Sequence, residues 1–233
     1  MANPMMPPMM PPMMTPAQVF EVFRSQRLVS VIRAATSEAA LGAARAVIRG
    51  GMKLVEVTYS VPDAPAVMRA LVAEAPAGVV IGAGTVLTRA EALAAVAAGA
   101  RFLIAPNISD AAATVARESA TFYCPGAYTT NEILHAMAMG AHLVKVYPVG
   151  VAGGPDYIKV IRDPLPNVPM LAAGGTNLDN IVPFYAAGCV ACGIGGAMAD
   201  PALALAGRFD EIEARAAAFV ARAASFTPAR VHA

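Results

Sequence analysis

The sequence predicts a single closed parallel (β/α)8 barrel, the TIM-barrel class of α/β fold, with one extra N-terminal helix. Three observations carry this. Between residues 15 and 225, short apolar runs alternate with Ala-rich helical segments, and the alternation counts to eight strand–helix units. The strand runs are apolar at successive positions, as expected of parallel strands packed on both faces. No composition shift or linker divides the 233 residues, a length that suits one domain with a sizeable core. A doubly wound open sheet is the rival architecture. It would carry a glycine fingerprint after its first strand, and Arg33-Ala34-Ala35-Thr36 has none.

The elements follow in order. Thr15 caps the extra helix and Pro16 suits its first turn. The first strand is Leu28 to Arg33, followed by a helix that Ser37 caps and Gly50-Gly51 stops. Strand Lys53 to Thr58 leads to a helix after Pro62, and strand Val79 to Gly82 to a helix from Thr88 to Ala98, closed by Gly99. Strand Arg101 to Ala105 precedes a helix from Ser109, strand Thr121 to Cys124 one from Thr129, and strand His142 to Tyr147 a short one near Asp156. The last pairs are strand Val168 to Ala172 with a helix from Asn177, and strand Cys189 to Ile194 with a helix from about Arg208. Residues 1–14 contain only Met, Pro, Ala and Asn. Prolines at that density remove backbone donors and block regular structure, so a disordered extension is expected there. The barrel then occupies 15–225, and 226–233 form a tail.

Composition excludes several classes of partner. With 57% hydrophobic and 14% charged residues and a net charge of +1, the chain has no electrostatic footprint for nucleic acid or an anionic membrane. No apolar run approaches the roughly 18 residues of a membrane span. The first fourteen residues lack the cationic start and continuous apolar core of a secretory signal, so a cytoplasmic protein acting on a small molecule is expected. Three cysteines are too few and odd in number for a disulfide framework. Cys189-Val190-Ala191-Cys192 matches a C-x-x-C pattern, but it lies in a strand-like apolar run, which favours core thiols over redox or metal chemistry. His135 and His142 have no ligand-spaced partners, so no metal and no cofactor are expected.

Lys145 is the residue around which a site can be built. It is one of only three lysines, against fourteen arginines, and sits in the apolar run Leu143-Val144-Lys145-Val146. Burial disfavours the charged ammonium and favours the nucleophilic free amine that Schiff-base chemistry needs. In a barrel, polar groups at the C-terminal ends of strands face the substrate. That rule selects Arg33 after the first strand, Glu56 and Thr58 on the second, Thr85 after the third and Lys145 on the sixth. Parity puts Glu56 inward with Leu54 and Thr58, and leaves Val144 and Val146 to the helix side of Lys145. A Glu56–Lys145 ion pair that only closes the barrel is the plain alternative to a carboxylate that moves protons for the amine. Gly174-Gly175 and Gly195-Gly196 follow the last two strands, where glycines let backbone amides approach a phosphate. Lys53, at the start of its strand, and Lys159, on a helix, fall outside the site.

The set Val31-Ile32-Arg33, Val55-Glu56-Val57-Thr58-Tyr59-Ser60-Val61-Pro62-Asp63, Gly82-Ala83-Gly84-Thr85-Val86, Pro125-Gly126, Val144-Lys145-Val146-Tyr147-Pro148 and Ala173-Gly174-Gly175 resembles the class I aldolases of 2-keto-3-deoxy-6-phosphogluconate (KDPG), 2-keto-3-deoxy-6-phosphogalactonate and 4-hydroxy-2-oxoglutarate (KHG). The match runs from about residue 17 to 222. The resemblance implies a homotrimeric barrel that reversibly cleaves such 2-keto acids to pyruvate and an aldehyde. It implies that Lys145 forms the Schiff base, that Glu56 handles protons through a bound water, and that Arg33 and Thr85 hold the substrate carboxylate. The distal phosphate would fall to Gly174, Gly175, Gly195 and Gly196. Relatives often carry threonine and serine where this chain has Ala173 and Ala197, so weaker phosphate binding is expected; Ser60 stands where some carry arginine. Asn107 and Gly154 to Lys159 resemble the galactonate branch, Glu56 to Asp63 the gluconate branch. The alternatives are a KHG aldolase releasing glyoxylate, a catalytically silent sugar-acid-binding trimer, and a phosphosugar isomerase, which would need no strand lysine.

Overall fold

Apolar β-branched runs become strands wherever they are long enough to pair, and the anticipated eight form here. The computed structural model of the chain describes residues 14–227, so the extension expected over 1–14 lies, Met14 apart, outside the described residues, as do 228–233 of the tail. The strands are β1 (Leu28–Ile32), β2 (Leu54–Thr58), β3 (Val80–Gly84), β4 (Phe102–Ile104), β5 (Phe122–Cys124), β6 (Gly126–Ala127), β7 (Val144–Val146), β8 (Met170–Ala173) and β9 (Ala191–Ile194). They form one parallel sheet in the order β5-β4-β3-β2-β1-β9-β8-β7-β6. β5 and β6 are the two halves of the fifth barrel strand, divided at Pro125, which brings no N–H to the ladder. The seam closes when His142 N–H donates to Tyr123 O at 2.9 Å and Lys145 N–H to Pro125 O at 2.8 Å.

The outer layer comprises α2 (Ser37–Arg49), α3 (Ala64–Glu74), α4 (Arg89–Ala97), α5 (Asp110–Glu118), α6 (Thr130–Ala138), α7 (Pro155–Arg162), α8 (Ile181–Ala186), α9 (Pro201–Leu205) and α10 (Phe209–Ala224), after an initial α1 (Pro16–Gln26). Capping boxes start three of them, from Thr15 to Gln18, Thr88 to Glu91 and Thr129 to Glu132. Three starts differ from the sequence reading. Thr36, not Ser37, caps α2 by accepting from Ala39 N–H, while Ser37 donates to Pro62 O. The α8 helix begins at Ile181, because the Asn177 carboxamide accepts the amides of Asp179 and Asn180 and holds those residues in a turn. The five-residue α9, capped by Asp200, was not anticipated.

Two cores result from the alternation of side chains. Val55, Val57, Val144 and Val146 face outward into the helical layer. Val29, Leu54, Phe102, Phe122, Leu143 and Leu171 face inward, joined by Val19 and Phe23 of α1. The extra helix is thus a plug at the N-terminal end of the barrel: the Phe23 ring stacks on Phe122 at 5.1 Å and meets Phe102 edge-on at 5.5 Å. Phe226, assigned to the tail, packs on Tyr185 with centroids 5.5 Å apart. With the N-terminal end filled, the open end is the one where the strands finish.

Candidate active site

Lys145 projects into the lumen from β7, two residues beyond Leu143 on the same face, and its side chain is buried to 5% exposure. Glu56, on the inward face of β2, is buried to 1%. The two form no ion pair: no carboxylate oxygen lies within 4.0 Å of the Lys145 nitrogen among the described residues. The plain alternative of a closing salt bridge therefore falls. Glu56 Oε1 is instead buried without any hydrogen-bond partner. Room for that carboxylate comes from the neighbouring strand, where a β-carbon at Gly84 would overlap it.

Cys124 feels the charges of both groups. It is fully buried on the inward face of β5; burial pushes its thiol far up, the Lys145 charge pulls it down, and the Glu56 charge pushes it up again. The thiol is a neutral, small lumen residue. Burial likewise pushes Cys189 up to about 12 and Cys192 well above its ordinary value, the opposite of what a redox C-x-x-C pair needs.

A cavity of about 450 Å³ opens above Lys145. Arg33, Gly174, Gly175, Gly195 and Gly196 line it, as the sequence reading anticipated, and so do Tyr147 and Thr176, which it did not single out. Glu56 and Thr85 are not among its lining residues; Glu56 lies one strand behind, level with Val31, which is. Arg33 follows β1 and is exposed, with no carboxylate paired to it among the described residues. Thr85 is the first residue beyond β3 and takes φ of 57°, a left-handed conformation that a β-branched side chain adopts at a cost of roughly 1–3 kcal/mol. Ser60 is occupied locally, its hydroxyl 2.7 Å from that of Thr58.

The two glycine pairs differ. Gly174 and Gly175 have φ of 78° and 104°. A β-carbon on Gly175 would stand 2.7 Å from Gly150 Cα, so this pair is required by the turn and by the close approach of the loop after β7. Gly195 and Gly196 have ordinary φ, and β-carbons there would meet only Arg33 Nη1 at 3.6 Å and Pro201 Cδ at 3.9 Å. Nothing inside the protein demands glycine at these two positions. The amides of Gly175, Gly196 and Ala197 donate to no backbone acceptor among the described residues. Thr176, buried after β8, donates to Gly193 O at 2.6 Å and so ties its loop to strand β9.

A family model described as "KDPG and KHG aldolase" matches residues 19–215. The chain belongs to the KDPG and KHG aldolase family. It is 33% identical over 177 residues, 76% of this chain and 83% of the relative, to a probable 2-dehydro-3-deoxy-6-phosphogalactonate aldolase of Rhizobium meliloti. It is 32% identical over 198 residues, 84% of this chain and 93% of the relative, to the 2-dehydro-3-deoxy-phosphogluconate aldolase of Treponema pallidum. Among solved structures, the KDPG aldolase of Legionella pneumophila, with pyruvate captured as a covalent carbinolamine intermediate, superposes with a TM-score of 0.79 at 28% identity, covering 88% of this chain and 98% of that one. The protein is thus an aldolase, a carbon–carbon lyase. Ala173 and Ala197, where weaker phosphate binding is expected from the sequence, both line the cavity and bring no hydroxyl to it. Among the described residues, no helix is long and apolar enough to cross a membrane.

Proposed function

We propose that this aldolase reversibly cleaves a 2-keto-3-deoxy-6-phospho sugar acid to pyruvate and glyceraldehyde 3-phosphate through a Schiff base on Lys145. The observation that carries the reading is a buried lysine amine at the floor of a cavity whose far rim presents unpaired amides. The free amine adds to the C2 carbonyl, and loss of water from the carbinolamine leaves a protonated imine. The C4 hydroxyl gives up its proton as the C3–C4 bond breaks, and the bonding electrons flow into the imine to form an enamine. Protonation at C3 and hydrolysis then release pyruvate and the amine.

Glu56 is the group for these proton transfers. Its Oε1, without a hydrogen-bond partner among the described residues, is an available acceptor in the lumen, and a water taken up with the substrate would relay protons across the gap. Arg33 and Thr85 hold the substrate carboxylate; the Arg33 guanidinium on the cavity wall, with no carboxylate paired to it among the described residues, and the left-handed backbone of Thr85 just beyond β3 support this. Gly174, Gly175, Gly195 and Gly196 receive the phosphate on backbone N–H groups, with the second pair kept free of side chains for it. The names of the relatives favour the phosphorylated acid over an unphosphorylated one. Coupled assay of pyruvate release tests this: kcat/KM is expected to be higher for a 6-phosphorylated acid than for 4-hydroxy-2-oxoglutarate, and the reverse order would overturn the substrate assignment.

The same reading includes a homotrimer working in the cytoplasm on small molecules alone. Exposed Leu93 on α4, Leu134 on α6 and Val160 on α7 give those helices apolar faces suited to burial between subunits. Three free buried thiols suit a reducing compartment. The folded unit is the barrel from residue 15 to 225, against which Phe226 also packs.

A further inference from the structure

Tyr147 has no part in the chemistry above, yet it is fitted on two sides. It lies two residues beyond Lys145, and Lys145 Nζ sits over its ring, 5.2 Å from the centroid. On its other side, a β-carbon at Gly174 would stand 2.9 Å from Cε2 and 3.0 Å from Cδ2, so the ring takes this place only because residue 174 is glycine. Lysine, ring and Gly174 line the same cavity.

We propose that the face of the Tyr147 ring stabilises the positive charge that Lys145 Nζ carries as an iminium, an inference that rests on the Schiff-base reading of Lys145. When the neutral carbinolamine loses its hydroxyl as water, with uptake of one proton, the new C=N bond leaves a cation at a nitrogen buried to 5% exposure. Burial alone works against that charge. No carboxylate lies within 4.0 Å of the nitrogen among the described residues. The electron-rich face of an aromatic ring within about 6 Å is the kind of partner that stabilises a desolvated cation without offering it a proton acceptor. Gly174 then serves both the turn and the seating of this ring.

The iminium is what borohydride reduces, so the rate of borohydride inactivation at saturating pyruvate reads its population. Tyr147→Phe keeps the face and is expected to stay within about twofold of the wild-type rate, whereas Tyr147→Leu should slow it roughly tenfold. Fluorinated phenylalanines at position 147 keep the shape but drain the face, so the rate should fall stepwise with fluorine count. A fluorine series as fast as Tyr147→Phe overturns the inference even if Tyr147→Leu is slow, because packing alone would then explain the leucine. A wild-type enzyme that traps no pyruvate at all overturns the Lys145 assignment, and this inference with it. Normal wild-type trapping with a flat series overturns the role of Tyr147 alone.

Discussion

A carboxylate oxygen buried without a partner is an expensive thing to keep, roughly 1–3 kcal/mol by the usual measure of an orphaned group. Glu56 keeps one, and the neighbouring strand makes room for it at Gly84. A purely structural residue would be better replaced, which makes the following prediction specific. Glu56→Gln should lower kcat by about 10²- to 10⁴-fold while leaving the thermal midpoint unchanged or raised; a variant that unfolds but, when folded, turns over normally would contradict a proton-transfer role. Gly84→Ala should reproduce much of the loss by displacing the carboxylate, and steady-state kinetics beside a melt would show it. Inward parity of Glu56 and Lys145 was legible in the sequence, because a strand alternates faces with a period of two and both flanking valines needed the helical side. The same parity places Tyr147 inward, but its place on the lysine depends on Gly174, from a different strand–loop unit, and spacing within one strand carries no such information. Nor could spacing tell the two glycine pairs apart, since φ and the approach of Gly150 are properties of the folded loops.

At the scale of elements, α1 works as a barrel plug through Phe23, which no exposed helix would need. Phe23→Ala is expected to destabilise the protein by about 3–5 kcal/mol, seen as a lower urea midpoint, with kcat of the remaining folded enzyme retained because the plug is at the opposite end from Lys145. The seam between β5 and β7 carries a pH dependence. His142 stacks on Phe122 with centroids 5.1 Å apart, its Nδ1 accepts from Tyr123 N–H at 3.1 Å, and burial lowers it from its ordinary value of 6.5. The unfolded chain therefore binds a proton at this site before the folded one does, so its contribution to stability is intact above about 6.5 and is lost as pH falls below it. Urea midpoints at pH 7.5 and pH 5 should differ less in His142→Gln than in the wild type; equal slopes would show that His142 does not set this dependence. Element starts marked by Thr-x-x-Glu or Thr-x-x-Gln were legible from sequence, since the capping box is a local device. The α9 helix was not, because five residues show no helical period, and the delayed start of α8 came from side-chain bonds of Asn177 that compete with the helix.

For the whole molecule, a plugged N-terminal end and an open C-terminal end leave a single direction of entry to the lumen, onto Lys145. The eight-unit alternation was enough to predict closure, since each strand–helix unit presents the same two apolar faces; the division of the fifth strand at Pro125 is the one place where the ring departs from that regularity. The proposed trimer is tested by light scattering of the eluted protein, with charged substitutions at Leu93 and Leu134 expected to give monomers if those faces meet. The central claim, that Lys145 is the covalent centre, is tested most directly by treating the protein with pyruvate and borohydride and mapping the modified peptide by mass spectrometry. A reduced pyruvate adduct on Lys145, absent without pyruvate and absent from Lys53 and Lys159, is the expected result; an active enzyme with no adduct on Lys145 would contradict it.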